Sequence, residues 1–383
     1  MRILVCTYPT ASDIFSTVQL AWALRSAGHE VLYCGAGDGM REVAGAGLPY
    51  ADIAPPGADL TAPFTRRAQR SGATGQLVWY RGGTVRESDV ESAVELFGEL
   101  SAMVAGGAVR LARDWRPDLV IGTDHQGSGP LVAAQLGIPL VSVSPLFAII
   151  PDMLDRVRRS IADSYQENGV TGAPRKVLKL RQAPPSLNRL ESDHRPMRHV
   201  PYNGTYAHPV NEWISPEKGR ARVCVTLGTF VPKYDGMETL RKLMKEFGQV
   251  PATIVMALGD VDLSELGDVP DNVRLHRWIP LNLLLRTCDA IVHHGGSGTT
   301  FAALEAGLPQ IVLPHGADQY FNASTVAERG VGVIGERASL TAGDIAAVLA
   351  SRAAAEAAAE VRAEIAAMPA PARIAAEVEE FAR

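Results

Sequence analysis

Little in this sequence is extreme, and each scarcity removes a class of function. Cysteine is scarce: Cys6, Cys34, Cys224 and Cys288 lie far apart in 383 residues. Three of them fall inside or at the ends of strand-like runs, and none has disulfide or zinc spacing. Buried thiols in a reducing cytoplasm are therefore expected. Charge of one sign is lacking too. A formal net charge of −5 and a pI near 6.0 give no reason to expect nucleic acid or an anionic membrane as partner. The densest basic spot, Arg66-Arg67 with Arg70, reads as a solvated loop face. No long apolar run opens the chain, since MRILVCTYPTASD turns polar after a few residues. That reads as neither signal peptide nor membrane span, and a cytoplasmic protein is expected. No G-x-x-x-x-G-K-[ST] occurs, which excludes a P-loop.

What remains is an ordinary soluble composition, 46% hydrophobic and 21% charged, in a chain long enough for two domains. RILVCT, a helix over roughly 15–27, and VLYCGA form a strand–helix–strand unit with continuously apolar strands, the mark of a parallel sheet. A long Ala/Val-rich helix ending near Trp115, DLVIGT and PLVSVS extend it. Between about 151 and 220 the alternation breaks into charged, proline-containing segments. It restarts with six strand candidates, ARVCVTLGT, TIVMALGD, VRLHRW, AIVHHG, PQIVLP and GVGVIG. The fold class is α/β, two doubly wound parallel-sheet domains in series with a cleft between them. We divide the chain into an N-terminal domain 1–205, a linker 206–220, a C-terminal domain 221–367 and a last helical segment 368–383 that crosses back. The irregular stretch 55–90, which holds Trp79, reads as a mobile substrate-side loop.

The most informative segment is HHGGSGTT, 293–300. A strand runs into a glycine-rich turn and then a helix start, which is how proteins build an anion site. His294 supplies a donor, and Gly296, Ser297, Gly298 and Thr299 supply N–H and O–H groups that can cradle a diphosphate. Asp318 and Gln319 follow the next strand and offer a carboxylate and an amide to ligand hydroxyls. Upstream, Trp278 can stack on a flat base, and the Ile279 backbone beside Pro280 can pair with a pyrimidine edge. Base, diphosphate and sugar contacts in that order make a nucleotide-sugar site. Two other motifs are weaker. Gly35-Ala36-Gly37-Asp38-Gly39 follows the second strand with the wrong spacing for a dinucleotide fingerprint and reads as a turn. Asp260-Val261-Asp262 has no ligand cluster beside it, so no metal is expected.

These residues resemble a family-1 nucleotide-diphosphate-sugar glycosyltransferase of the GT-B fold, from the bacterial natural-product branch. The resemblance rests on Trp278-Ile279-Pro280, His294 through Thr299, Gly307-Leu308-Pro309 and Asp318-Gln319, and extends over nearly the whole chain. It implies that Trp278 and Ile279 hold the base, that His294, Ser297, Gly298, Thr299 and Thr229 hold the diphosphate, and that Asp318 and Gln319 grip the sugar. Leu281 stands where the family often has a glutamine, which removes one ribose contact. The implied reaction is inverting transfer of a sugar, TDP-sugar favoured over UDP-sugar, with the nucleotide sugar as co-substrate and no resident cofactor. The acceptor is expected in the first domain near Ser12, Trp79, the 123–128 turn, Leu146 and Phe147. These apolar and aromatic turns suit a polyketide, macrolide or polycyclic aromatic aglycone. A monomer or homodimer is expected. An epimerase of the same fold and a non-catalytic nucleotide-sugar-binding homologue are the competing readings.

Position 13 is where the chain departs most from its relatives. Many of them carry their catalytic histidine at the position that Asp13 occupies when Val18, Leu20 and Ala21-Trp22-Ala23-Leu24 are registered on the family's first helix. Thr123 matches the residue that usually orients that histidine, and Asp124 and His125 follow it. Three assignments stay open: Asp13 as base, His125 as base with Asp13 orienting it, or neither, with Asp13 a helix N-cap. A carboxylate base suits acidic acceptors such as phenols better than plain alcohols.

Overall fold

The computed structural model describes residues 1–8, 10–70, 86–148, 150–188, 193–204, 215, 218–228, 236–259 and 266–383. Two sheets organise them. The first contains β1 Arg2–Cys6, β2 Glu30–Gly35, β3 Tyr50–Asp52, β4 Leu119–Thr123, β5 Leu140–Ser144, β6 Val177–Arg181 and β7 Arg195–Pro196, in the order β3-β2-β1-β4-β5-β6-β7. The second contains β8 Ala221–Thr226, β9 Ala252–Ala257, β10 Val273–His276, β11 Ala290–His293, β12 Gln310–Val312 and β13 Gly332–Ile334, in the order β10-β9-β8-β11-β12-β13. The described pairings are parallel, from Ile3 opposite Leu119 to Val292 opposite Val225. Central strands such as LVIGT and ATIVMA are buried along their whole length, because helices cover both faces of a parallel sheet. This is the two-domain GT-B architecture.

In each sheet the chain starts in the middle, winds outward and returns to the other side. The reversals fall between β1 and β4 and between β8 and β11. Connections leave such a point toward opposite faces, so a crevice opens outside the carboxyl ends of those strands. The residues that follow Cys6, Thr123, Thr226 and His293 are thereby committed to line a crevice.

Helix Ala11–Ser26 buries Ile14, Val18, Ala21 and Leu24, spaced three and four apart, against Ile3, Val5 and Ile121 of the first sheet. The other face of that sheet is covered by Glu87–Trp115, whose Ala105, Ala108, Val109 and Ala112 pack on Leu4, Val120 and Leu131. That helix has the length and apolarity of a membrane span, and half of its most apolar window is buried inside the molecule. The last helix, Pro371–Ala382, buries Ile374, Ala375 and Val378 in the core beneath β1 and β2. A backbone bond from Arg198 N–H to the Pro369 carbonyl, 2.8 Å, holds the turn that brings it back.

Several sequence expectations need correction. The stretch 151–220, where the apolar alternation breaks, is not without regular structure: it supplies helices Met153–Ser160 and Ala162–Glu167 and then β6 and β7. The 55–90 stretch contains helix Ala62–Arg70 and the start of Glu87–Trp115, although Trp79 lies outside the described residues. Arg66 and Arg67 sit on that short helix and pair with Glu99 of the long one, Arg67 at 3.3 Å, so they are not a solvated loop face. The first helix begins at Ala11, a turn earlier than its apolar pattern suggests.

Candidate active site at the two sheet reversals

In the first crevice, the early helix start changes the place of Asp13. Thr10 occupies the N-cap position, extended and without a side-chain cap bond, and Asp13 lies inside the first turn. Its carboxylate points back across the strand ends. Oδ2 accepts from the Tyr8 N–H at 2.9 Å and Oδ1 from the Thr123 hydroxyl at 2.6 Å. The N-cap reading is thereby excluded. His125 Nε2 stands 3.3 Å from the same Oδ1, and its Nδ1 stands 2.9 Å from Asp124 Oδ1. All three side chains are buried. The rings of Tyr8 and Phe97 flank the imidazole, with centroids at 5.7 and 4.6 Å.

Burial alone would pull the His125 pKa down. Its hydrogen bonds to Asp124 and Asp13 and their charges outweigh that and lift it to about 9. Nδ1 is hydrogen-bonded to Asp124 at 2.9 Å and Nε2 faces Asp13 Oδ1 at 3.3 Å, and a ring protonated on both nitrogens has no lone pair to take a proton. A ring held in this way is a poor proton acceptor, and the Asp13 carboxylate is the other candidate base. Ser12 is exposed on the first turn beside it.

Around the acceptor side, Leu146 is partly exposed, whereas Phe147 is only 1% exposed. The Phe147 ring stacks at 4.2 Å on Phe301 of the second domain, and His199 stacks on Phe301 at 4.7 Å. Phe147 is spent on packing between domains and is corrected as an acceptor contact.

In the second crevice the two histidines divide the labour. His293 ends β11 fully buried; its Nδ1 accepts the Gly295 N–H at 3.1 Å and its Nε2 donates to Gln310 Oε1 at 2.8 Å. Burial first, then the charge of His294, hold its pKa near about 3. It shapes the turn and is not a ligand group. His294 lies against two glycines. A Cβ on Gly228 would come within 2.8 Å of its ring, and one on Gly296 within 2.5 Å. Burial, helped by the charge of His315, brings its pKa to about 4. The ring is thus neutral at physiological pH rather than a cation.

Gly296 then caps helix Ser297–Ala306 without any side-chain cap bond, so the N–H groups of Ser297, Gly298 and Thr299 keep their anion-binding capacity. Thr229 lies outside the described residues.

Asp318 stands at the start of helix Gln319–Glu328 but makes no cap bond. Its Oδ2 accepts from Ser297 Oγ at 2.5 Å and from Asn322 Nδ2 at 2.9 Å. Burial raises its pKa, opposed by those bonds and by the charge of His125. Gln319 Oε1 accepts from the N–H groups of His315 and Gly316 at 2.8 and 3.2 Å, which commits its carbonyl to the turn and leaves the amide N–H groups as the donating end.

Asn322 was missed from sequence. Fully buried, its Nδ2 lies 2.8 Å from the Gly295 carbonyl and 3.1 Å from Ser297 Oγ, so it joins both ligand turns. Its position, four after Asp318 on one helix face, was the available signal.

Trp278 donates from its indole N–H to the Asn203 carbonyl at 3.1 Å, which fixes its edge against the segment leaving the first domain. The Ile279 side chain is buried in the core. Among the described residues no group of three or more His, Cys, Asp or Glu could hold a metal ion, and Asp260 and Asp262 lie outside them.

Comparison with known proteins accounts for both halves. The family model of the erythromycin biosynthesis protein CIII-like N-terminal domain matches residues 22–228, and that of the C-terminal domain matches 241–381. The elloramycin glycosyltransferase ElmGT of Streptomyces olivaceus is 37% identical, with 99% of this chain and 97% of that one covered. The glycosyltransferase SnogD of Streptomyces nogalater superposes with a TM-score of 0.86 at 40% identity, covering 100% and 99%. SsfS6, a Streptomyces sp. SF2575 glycosyltransferase solved with thymidine diphosphate, gives 0.81 at 31% identity, covering 99% of each chain. Matched in order along both domains, the chain belongs to the erythromycin biosynthesis protein CIII-like family and is a GT-B glycosyltransferase.

Proposed function

We propose that the enzyme transfers a sugar, with inversion, from a TDP-sugar to a hydrophobic natural-product aglycone of polyketide type in antibiotic biosynthesis, in the cytoplasm and without a metal. One observation carries the reading. The Asp13–His125–Asp124 cluster lies at the strand ends of the first domain and the Ser297–Asp318 pair at those of the second, and the Phe147–Phe301 stack, 4.2 Å between ring centroids, joins the two domains. An acceptor held by the first domain would meet the anomeric carbon of a donor held by the second. The relative solved with thymidine diphosphate supports the choice of nucleotide.

In this mechanism the acceptor hydroxyl gives its proton to Asp13 while its oxygen attacks the anomeric carbon from the face opposite the diphosphate. The leaving diphosphate takes the electron pair of the breaking C–O bond. Charge growing on its oxygens is met by the uncapped helix end at Ser297 and by the His294 N–H, a preorganised arrangement that needs no cation. The test is a panel of TDP- and UDP-sugars with aromatic polyketide and macrolide acceptors, read by mass spectrometry in EDTA. Product should form at an undiminished rate. Activity lost in EDTA and restored by magnesium or manganese would overturn the metal-free part.

Asp318 supplies a second expectation. Asp318→Ala should impair sugar turnover by about tenfold or more, with binding of free thymidine diphosphate changed far less. Equal losses in both would show that the side chain serves only to tie Ser297 to Asn322.

A further inference from the structure

His125 stands where several elements converge. Its own turn supplies Thr123 and Asp124, helix Ala11–Ser26 supplies Asp13, and the turn after β1 supplies Tyr8. The long helix adds Phe97 and Ser101, the latter bonded to the Tyr8 hydroxyl at 2.9 Å. From farther away, Asp318 feels the charge of His125, and His194 feels that of Asp124. We propose that His125, held between Asp13 and Asp124, is a positioning residue for the transfer reaction that aims Asp13 at the acceptor. The role rests on the transfer reading above.

The geometry explains why one imidazole has two carboxylates. Asp13 accepts from Tyr8 on Oδ2 and from Thr123 on Oδ1, with His125 Nε2 3.3 Å from Oδ1; a carboxylate offers about four lone-pair positions, so one on Oδ2 remains for the acceptor. When Asp13 takes the acceptor's proton, it stops being a counter-ion. Asp124 still holds Nδ1, so the buried imidazolium is never left unpaired, which would be costly. The faces of Tyr8 and Phe97 give it further cation–π support. His125 keeps its proton throughout. The bonds that change are the acceptor O–H, the new bond to the anomeric carbon, and the C–O bond to the departing diphosphate.

The pH behaviour follows. The folded pKa of about 9 lies above the ordinary 6.5, so the charge's contribution to stability is whole below about 6.5 and is lost as pH rises through about 9. Turnover should show an alkaline limb in the same range.

Two measurements test the role. Nitrogen-15 NMR of the histidine-labelled enzyme should show both His125 nitrogens protonated at pH 7.5, with titration near pH 9. His125→Gln, which keeps an N–H donor without the charge, should lower kcat by at least about tenfold, leave donor KM nearly unchanged and abolish the alkaline limb. A neutral His125 at pH 7.5 in a working enzyme, or full turnover in His125→Gln with the limb intact, sinks this role alone. A wild-type enzyme that consumes no donor in the panel sinks the transfer reading with it.

Discussion

Asp13→Asn is expected to lower turnover by about 100-fold or more, because the amide is the same size as the carboxylate but accepts no proton. The geometry adds a second expectation. In wild type one oxygen of Asp13 faces the Tyr8 N–H and the other faces the Thr123 hydroxyl and His125. With its NH2 toward Tyr8 the asparagine opposes a backbone N–H; turned the other way, its NH2 can be accepted by the Thr123 hydroxyl but opposes the protonated His125, at a site only 3% exposed. A buried donor deprived of its acceptor costs about 1–3 kcal/mol, so the melting temperature should fall too. Activity lost through simple loosening has to be separated from loss of the base. An acceptor phenol acidic enough to be ionised at the assay pH needs no base, and Asp13→Asn should glycosylate it with a much smaller deficit. An equal deficit for ionised and neutral phenols would mean that Asp13 acts only as a strut. Near-normal turnover with both would remove it from the chemistry.

What the sequence disclosed follows the physics of each signal. The central strands of the second domain were legible because a strand buried on both faces must be apolar throughout, and ATIVMA and AIVH are, whereas β10 and β13 lie at the sheet's edges and are partly exposed. β6 was missed because VLKLR alternates: it lies near the sheet's edge, where one face is only partly covered. β7, at two residues, carries no periodicity to read. The strand–turn–helix at 293–300 was legible because glycines, hydroxyls and a helix start are contiguous in the chain. The first crevice was only half legible. Asp13 and His125 stand 112 positions apart in sequence (125 − 13), and only the pairing of β1 with β4, Cys6 beside Gly122, brings their turns together. Whether His125 takes a proton or holds one depends on Asp124, Asp13, Tyr8 and Phe97 at once. Phe147 misled because an aromatic after a strand end reads alike whether it faces a ligand or another domain. Asn322 was hidden because its partners, Gly295 and Ser297, lie more than twenty positions upstream.

His294→Ala should cut turnover at least tenfold, equivalent to about 1.4 kcal/mol of leaving-group stabilisation. Deleting a ring also leaves a hole, so the sharper experiment moves the ring instead of removing it. Gly296 has φ −60° and ψ 141°, a conformation alanine adopts freely, so Gly296→Ala carries no backbone strain. Its new methyl would lie 2.5 Å from His294 Nε2, and the imidazole must give way. If the placement of that N–H stabilises the departing diphosphate, Gly296→Ala should reproduce most of the His294→Ala loss. The double variant should then be little worse than either alone, because both changes remove one interaction. Its pH dependence should be flat from pH 6 to 8, since a ring with a pKa of about 4 stays a neutral donor throughout that range. Additive losses would show that the Gly296 methyl blocks the donor directly instead of acting through the histidine. Full activity in Gly296→Ala, with thymidine diphosphate affinity unchanged by calorimetry, would show that the ring's present position is not the one that transfer uses. The two glycines around His294 are then explained by what the ring does: a donor held neutral and dry, with space cleared for it on both sides, stabilises an anion only where that space is kept.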